Sequence, residues 1–65
     1  MVYSKLKKIR MEKGFTQEEL SRSSKVGRTT ISDIENGRYM CTIDSALRIS
    51  KALGTPVEEI FYLDA

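Results

Sequence analysis

At 65 residues with one cysteine, no histidine and a formal charge of +2, the chain is a single small domain, near the lower limit for folding without staples. Cys41 alone excludes an internal disulfide. A Cys/His metal site is excluded as well, and no cofactor motif is present, so stability rests on an apolar core. The longest apolar run is a few residues, too short for a transmembrane helix or a signal-peptide core; a reducing, cytoplasmic setting and no membrane partner are expected.

Residues 1–13 carry five bases (Lys5, Lys7, Lys8, Arg10, Lys13) against Glu12, residues 14–38 balance, and the remainder is acidic by two charges. A basic pole opposite an acidic tail suits docking on a polyanion. The first predicted helix runs from about Ser4 to Lys13, with Leu6, Ile9 and Arg10 on one face and Gly14 as its stop. Lysines in its first turns oppose the helix dipole at roughly 0.3–1 kcal/mol each, and contact with phosphate would supply a reason for them. "FTQEEL" opens the second helix: Thr16 with Glu19 three residues on is a capping box, and Phe15 is half of a hydrophobic staple.

The third helix spans about Arg28 to Asn36, with Gly27 as its N-cap, Ile31 and Ile34 as its apolar positions and Gly37 as its stop. Its first turn holds an arginine and two threonines where acids usually settle. Thr42 caps a fourth helix in which Ile43, Ala46, Leu47, Ser50 and Leu53 recur at helical spacing before Gly54 closes it. Thr55-Pro56 starts a fifth, short helix whose apolar side is Val57, Ile60 and Phe61. No segment alternates long enough to predict a strand. The expected fold is all-α: five helices in one domain over residues 1–65.

The join between the second and third helices decides the functional reading. Helix, a turn around Ser24 to Gly27, then helix leaves Arg28, Thr29, Ser32 and Asp33 on one outer, wholly polar face. A helix held with its N-terminal residues outward is the arrangement that reads the major groove. Arg28 can place its planar fork on guanine O6 and N7, and Thr29 can offer a hydroxyl or a methyl. Asp33 is open to three roles: accepting from cytosine N4, orienting Arg28 or Arg38, or repelling phosphates at wrong sites.

"LKKIRMEKGFTQEELSRSSKVGRTTISDIENGR" followed by "IDSALRISKALGTPVEEIF" resembles the helix-turn-helix domain of the phage repressor and Cro group of transcriptional regulators. The resemblance covers about residues 5–61 and rests on "TQEEL", "TIS.IENG" and "I.SALRISKALG" in order and at the right spacing. It implies that the first, second and sixth positions of the third helix, here Arg28, Thr29 and Asp33, face the bases, with Ser32 as a fourth candidate. It further implies phosphate contacts from Gln17 and from the Asn36-Gly37-Arg38-Tyr39 stretch. Gln17 also stands where a helix N-terminus favours an anion. Lys25, Lys7, Lys5 and Lys8 are electrostatic candidates. Arg10 and Glu35 match the family's interhelix ion pair, a structural role. Where the family usually has proline this chain has Cys41, expected as a small, semi-buried filler.

The partner so implied is double-stranded DNA. Ile60, Phe61, Tyr62 and Leu63 crowd the end of the chain, and an exposed apolar patch of that kind marks an interface. A homodimer through the fifth helix and the tail (61–65) is therefore expected, with recognition helices about 34 Å apart on a near-palindromic operator. The function so read is a transcriptional regulator, a repressor before an activator, controlled through its own concentration or a partner protein. The competing reading is an antitoxin or a protein-interaction module on the same fold. Catalysis has no histidine, metal or basic orienter near Cys41 beyond Arg38, and Asp33 and Glu35 point apart on their helix; no enzyme is expected.

Overall fold

The computed structural model describes residues 2–38 and 41–63. Five helices, α1 (Leu6–Glu12), α2 (Gln17–Ser24), α3 (Arg28–Glu35), α4 (Ile43–Leu53) and α5 (Val57–Ile60), lie between two short strands, β1 (Val2–Ser4) and β2 (Phe61–Leu63). The all-α expectation is therefore corrected: the helical fold stands, but the two ends of the chain form an antiparallel ribbon, Val2 opposite Leu63, Tyr3 opposite Tyr62 and Ser4 opposite Phe61. Three-residue strands are too short to show a period of two, and their partners lie at opposite ends of the sequence, beyond any local pattern. The Lys5 N–H donates to the Ile60 carbonyl at 2.7 Å, which brings the ends together. Helix α1 consequently starts later than expected, and the Ser4 hydroxyl, now in the strand, accepts from the Leu6 N–H at 3.1 Å.

Local chemistry accounts for the helix ends. At α2 the Thr16 hydroxyl accepts from the Glu19 N–H at 3.0 Å while the Glu19 carboxylate accepts from the Thr16 N–H at 2.8 Å, a complete capping box. Helices α1, α3 and α4 close alike, on Gly14, Gly37 and Gly54, all with positive φ. In each, the residue after the glycine donates back to a carbonyl five residues earlier: Phe15 to Arg10, Arg38 to Asp33, Thr55 to Ser50. That pattern satisfies carbonyls the helix leaves orphaned.

The core is Leu6, Leu20, Val26, Ile31, Ile34, Ile49, Leu53 and Ile60, with Ile9, Phe15, Cys41, Ala52 and Phe61 packed around it. Among the described residues no buried side-chain polar atom lacks a partner. Helix α4 is turned relative to the sequence expectation. Ile49 and Leu53 are its buried residues, whereas Ile43 and Leu47 are 80% and 58% exposed. Only one apolar stripe of a helix this size can face so small a core, and Ile49 and Ala52 lie on that stripe with Leu53. Ile60, expected at an interface, is completely buried; the ribbon that follows it turns its side chain inward. No helix among the described residues is long and apolar enough to cross a membrane.

Candidate nucleic-acid interface

Helices α2 and α3 are joined by a turn whose one strained residue is Lys25, a non-glycine at φ 60°. Ser24 and Ser21 fix it. The buried Ser24 hydroxyl donates to the Leu20 carbonyl at 2.7 Å and accepts from the Val26 N–H at 3.3 Å, and the Ser21 hydroxyl donates to the Val26 carbonyl at 2.7 Å. Neither serine stood out in the sequence, because serine within a helix usually faces solvent; the residue four positions from each turn gave the only available signal.

Two buried isoleucines, Ile31 and Ile34, seat α3. A polar network locks its last turn. Glu35, with a side chain 2% exposed, accepts from Arg10 Nε at 2.6 Å, from a second Arg10 nitrogen at 3.3 Å and from Gln17 Nε2 at 3.0 Å. Arg10 also donates to the Phe15 carbonyl at 2.7 Å. Three helices are thereby fixed to one carboxylate, and the charge is desolvated but fully partnered.

With those contacts made, α3 presents Arg28 and Thr29 exposed and Ser32 and Asp33 half-buried. Gly27 gives no side-chain cap, and no acid lies in the first turn, so that end keeps its positive dipole and free N–H groups. Arg28 borders the same cleft as Thr16, Gln17 and Glu18 at the N-terminus of α2. The Asp33 carboxylate stands 3.8 Å from Arg38 Nη1; of the open roles, orienting Arg38 is the one with a contact in the free protein.

The expected phosphate ligands are placed unevenly. The Gln17 side chain is occupied by Glu35, which leaves its backbone N–H, and Glu18 and Glu19 make that first turn acidic. At the end of α3, the Gly37 and Arg38 N–H groups are spent on the Ile34 and Asp33 carbonyls, at 3.2 and 2.9 Å. The Asn36 amide donates to the Ser32 carbonyl at 2.8 Å. A backbone clamp there is thus closed on the helix itself, and the exposed Arg38 side chain is the free donor. Tyr39 lies outside the described residues. Lys25 is exposed beside the turn; Lys7 belongs to a separate basic depression with Lys5 and Lys8. Lys5 Nζ sits 5.3 Å above the Tyr62 ring, a cation–π contact.

Of the residues expected at a dimer contact, Phe61 packs on the core while Tyr62 and Leu63 are 43% and 70% exposed, Tyr62 stacked on Tyr3 at 5.6 Å between centroids. Cys41 is half-buried beside the core, and burial pushes its thiol up from the ordinary range, which disfavours the reactive thiolate.

A family profile described as helix-turn-helix matches residues 6–60. An HTH-type transcriptional regulator of Methanothermobacter thermautotrophicus (strain Delta H) is 45% identical over 60 residues, 91% of this chain and 87% of the relative. Among solved structures, the restriction-modification controller protein C.AhdI of Aeromonas hydrophila superposes with a TM-score of 0.79 at 28% identity, covering 83% of this chain and 82% of that one. The wild-type restriction-modification controller protein C.Esp1396I gives 0.72 at 47% identity, covering 78% and 67%.

Proposed function

The chain belongs to the helix-turn-helix family of DNA-binding transcriptional regulators, and from that premise we propose that it is a repressor which binds a near-palindromic operator as a homodimer, with α3 in the major groove. One observation carries the base-reading part: the open N-terminus of α3, uncapped and free of acids, with Arg28 and Thr29 exposed on it. Arg28 reads guanine through its bidentate fork, the commonest specific contact, and Thr29 reads the neighbouring base. Ser32 and Asp33 border the same groove, with Asp33 acting mainly by aiming Arg38 at a phosphate. The Gln17 N–H, Lys25 and Arg38 supply the backbone contacts, and each phosphate neutralised steepens the salt dependence by about 0.9 log units per log unit of salt.

Selection from random duplexes tests this reading. The expected product is an inverted repeat with guanine at a fixed half-site position. Arg28→Ala should cost about 1–3 kcal/mol and relax the preference at that position alone; a variant that kept it would remove Arg28 from base reading.

The likeness to two restriction-modification controllers favours a second reading, in which the same DNA binding controls the genes of such a system. A reporter fused to the selected operator separates the two, since a pure repressor lowers its output at every concentration, whereas a controller that also activates raises it over part of the range.

A further inference from the structure

We propose that the outer side of α1, together with the tyrosine pair of the terminal ribbon, is a docking surface for a short acidic segment of a protein partner. It includes neither Arg28 nor Thr29, and it stands whether or not the chain binds DNA.

The first argument is charge that the fold does not use. Lys5, Lys7 and Lys8 are exposed and line, with Ser4 and Met11, a depression of about 420 Å³. Among the described residues no acid pairs with any of the three, although Glu12 stands four residues beyond Lys8. At the same spacing Glu18 reaches Arg22 at 3.5 Å and Asp44 reaches Arg48 at 2.9 Å. Lysine ahead of glutamate is the weaker order on a helix, and the first turn of α1 holds no acid. The three ammonium groups therefore oppose the helix dipole without compensation. Leu6 in the core and Arg10 on Glu35 fix the inward side of α1, which puts Lys8 on the opposite side of the helix.

The second argument is the apolar surface beside that charge. Tyr3 and Tyr62 face each other across the ribbon, exposed and stacked at 5.6 Å. Neighbours along a strand alternate, so they occupy the ribbon face turned away from the side of Phe61, which packs on the core. Lys5 Nζ, 5.3 Å over the Tyr62 ring, joins this pair to the lysine depression, and Met11, 60% exposed, adds an apolar wall. Tyrosine and methionine are enriched at protein interfaces. Lysine stems beside them extend the apolar contact while their ammonium groups stay in water.

Charge and shape choose the occupant. Glu58 and Glu59 are exposed just before Ile60, whose carbonyl accepts from the Lys5 N–H, and Glu12 is exposed on α1. A nucleic-acid strand, charged at every unit, meets these acids as it leaves the lysines. The Tyr62 ring is engaged by both Tyr3 and Lys5, which leaves little aromatic face for stacked bases. A peptide places its carboxylates only where the lysines are and sets one apolar side chain against Met11 and the lysine stems.

Fluorescence anisotropy at physiological ionic strength tests the surface, with a short labelled peptide of aspartates and glutamates around one phenylalanine. The parent should bind it. Lys7→Gln/Lys8→Gln should bind about tenfold more weakly, for two exposed ion pairs lost, while Lys51→Gln, which removes an exposed lysine of α4, should match the parent. Met11→Ala, or a peptide with alanine for phenylalanine, should weaken binding several-fold. The double variant should also melt slightly above the parent, since two charges opposing the dipole are gone; a lower melting temperature would make the lysines structural and overturn the proposal. A parent that ignores the peptide overturns it as well. So does a Lys51→Gln loss equal to that of the double variant, which would mean general attraction to a basic protein. Random duplex DNA and single-stranded oligothymidylate, titrated into the same samples, should lose less affinity in the double variant than the peptide does; a larger loss for either assigns the lysines to nucleic acid and refutes the peptide site.

Discussion

Removing the arginine from the α3 anchor, as Arg10→Met, should be the most damaging single change outside the apolar core. Glu35 would keep only the Gln17 amide at 3.0 Å, losing both Arg10 contacts at 2.6 and 3.3 Å, with its side chain still 2% exposed. The Phe15 carbonyl would also lose its Arg10 donor. A buried carboxylate stripped of its cation costs about 3–5 kcal/mol, whereas a chain of this length has about 3–10 kcal/mol of stability in total. At about 4–8 °C per kcal/mol for a domain this small, the melting temperature should fall by roughly 15–40 °C. The double variant Arg10→Met/Glu35→Leu removes both charges and should recover most of the loss, with a coupling on the order of 2–3 kcal/mol. Urea denaturation followed by circular dichroism measures all four corners of the cycle. A single variant costing under about 1 kcal/mol would mean that water reaches Glu35 and the pair holds nothing. A double variant no more stable than Arg10→Met would mean that packing of the arginine stem, and not charge, is what was lost.

Lys25→Gly should raise the melting temperature by about 3–6 °C, since relief of the left-handed backbone exceeds the added chain entropy; the same protein should lose about 0.9 from the slope of log affinity against log salt if Lys25 contacts a phosphate. Glu19→Gln tests the capping box through pH. Its carboxylate accepts the Thr16 N–H and hydroxyl contact, which holds its pKa below the ordinary range. A depressed folded pKa adds stability that is full above the unfolded value of about 4.3 and is lost as pH falls through the lower, folded one. The parent's urea midpoint should therefore drop more steeply on acidification than that of Glu19→Gln, whose amide can still cap; parallel curves would show that the contact is not made in solution. Gly27→Asp should stabilise the fold by a few tenths of a kcal/mol through an N-cap hydrogen bond while weakening DNA binding by roughly fivefold, because the new charge faces the phosphates. Improved binding would mean that this end of α3 does not approach DNA.

What could be read from the sequence was local. Thr16 and Glu19 lie three residues apart, and Gly14, Gly37 and Gly54 each end a helix by their own φ, so caps and stops followed from neighbours. The outward face of α3 followed from its two isoleucines, since fixing Ile31 and Ile34 inward leaves Arg28 and Thr29 nowhere to be but outside. What escaped was set by residues far apart in the chain. The ribbon pairs Val2 with Leu63, and that pairing, not periodicity, decides that Ile60 turns inward. On α4, Ile43 and Leu47 satisfy helical spacing as well as Ile49 and Leu53 do; only the position of the core chooses between the stripes. The engagement of the amides after α3 was hidden in a correct reading: once Gly37 ends the helix with a reverse turn, its own N–H and that of Arg38 bond to carbonyls of the helix.

The two ends of α3 have opposite designs, and the contrast separates holding from reading. At its C-terminus the backbone donors are used: the Gly37 and Arg38 N–H groups close on carbonyls and the Asn36 amide on Ser32, while the Glu35 carboxylate accepts from Arg10 and Gln17. At its N-terminus nothing within the fold calls for the residue found. Gly27 has an ordinary φ of −57°, and a Cβ there would meet only Thr30 Oγ1 at 3.7 Å, an ordinary contact. Serine or aspartate would fit and would cap the helix. A fold optimised for itself would fill that position, as it fills the equivalent one at α2 with Thr16 and at α4 with Thr42. The starts of α1 and α5, at Lys5 and Pro56, also lack a side-chain cap, but on α3 a capping side chain would fit, and leaving that position empty is consistent with free N–H groups whose partner is not in the chain.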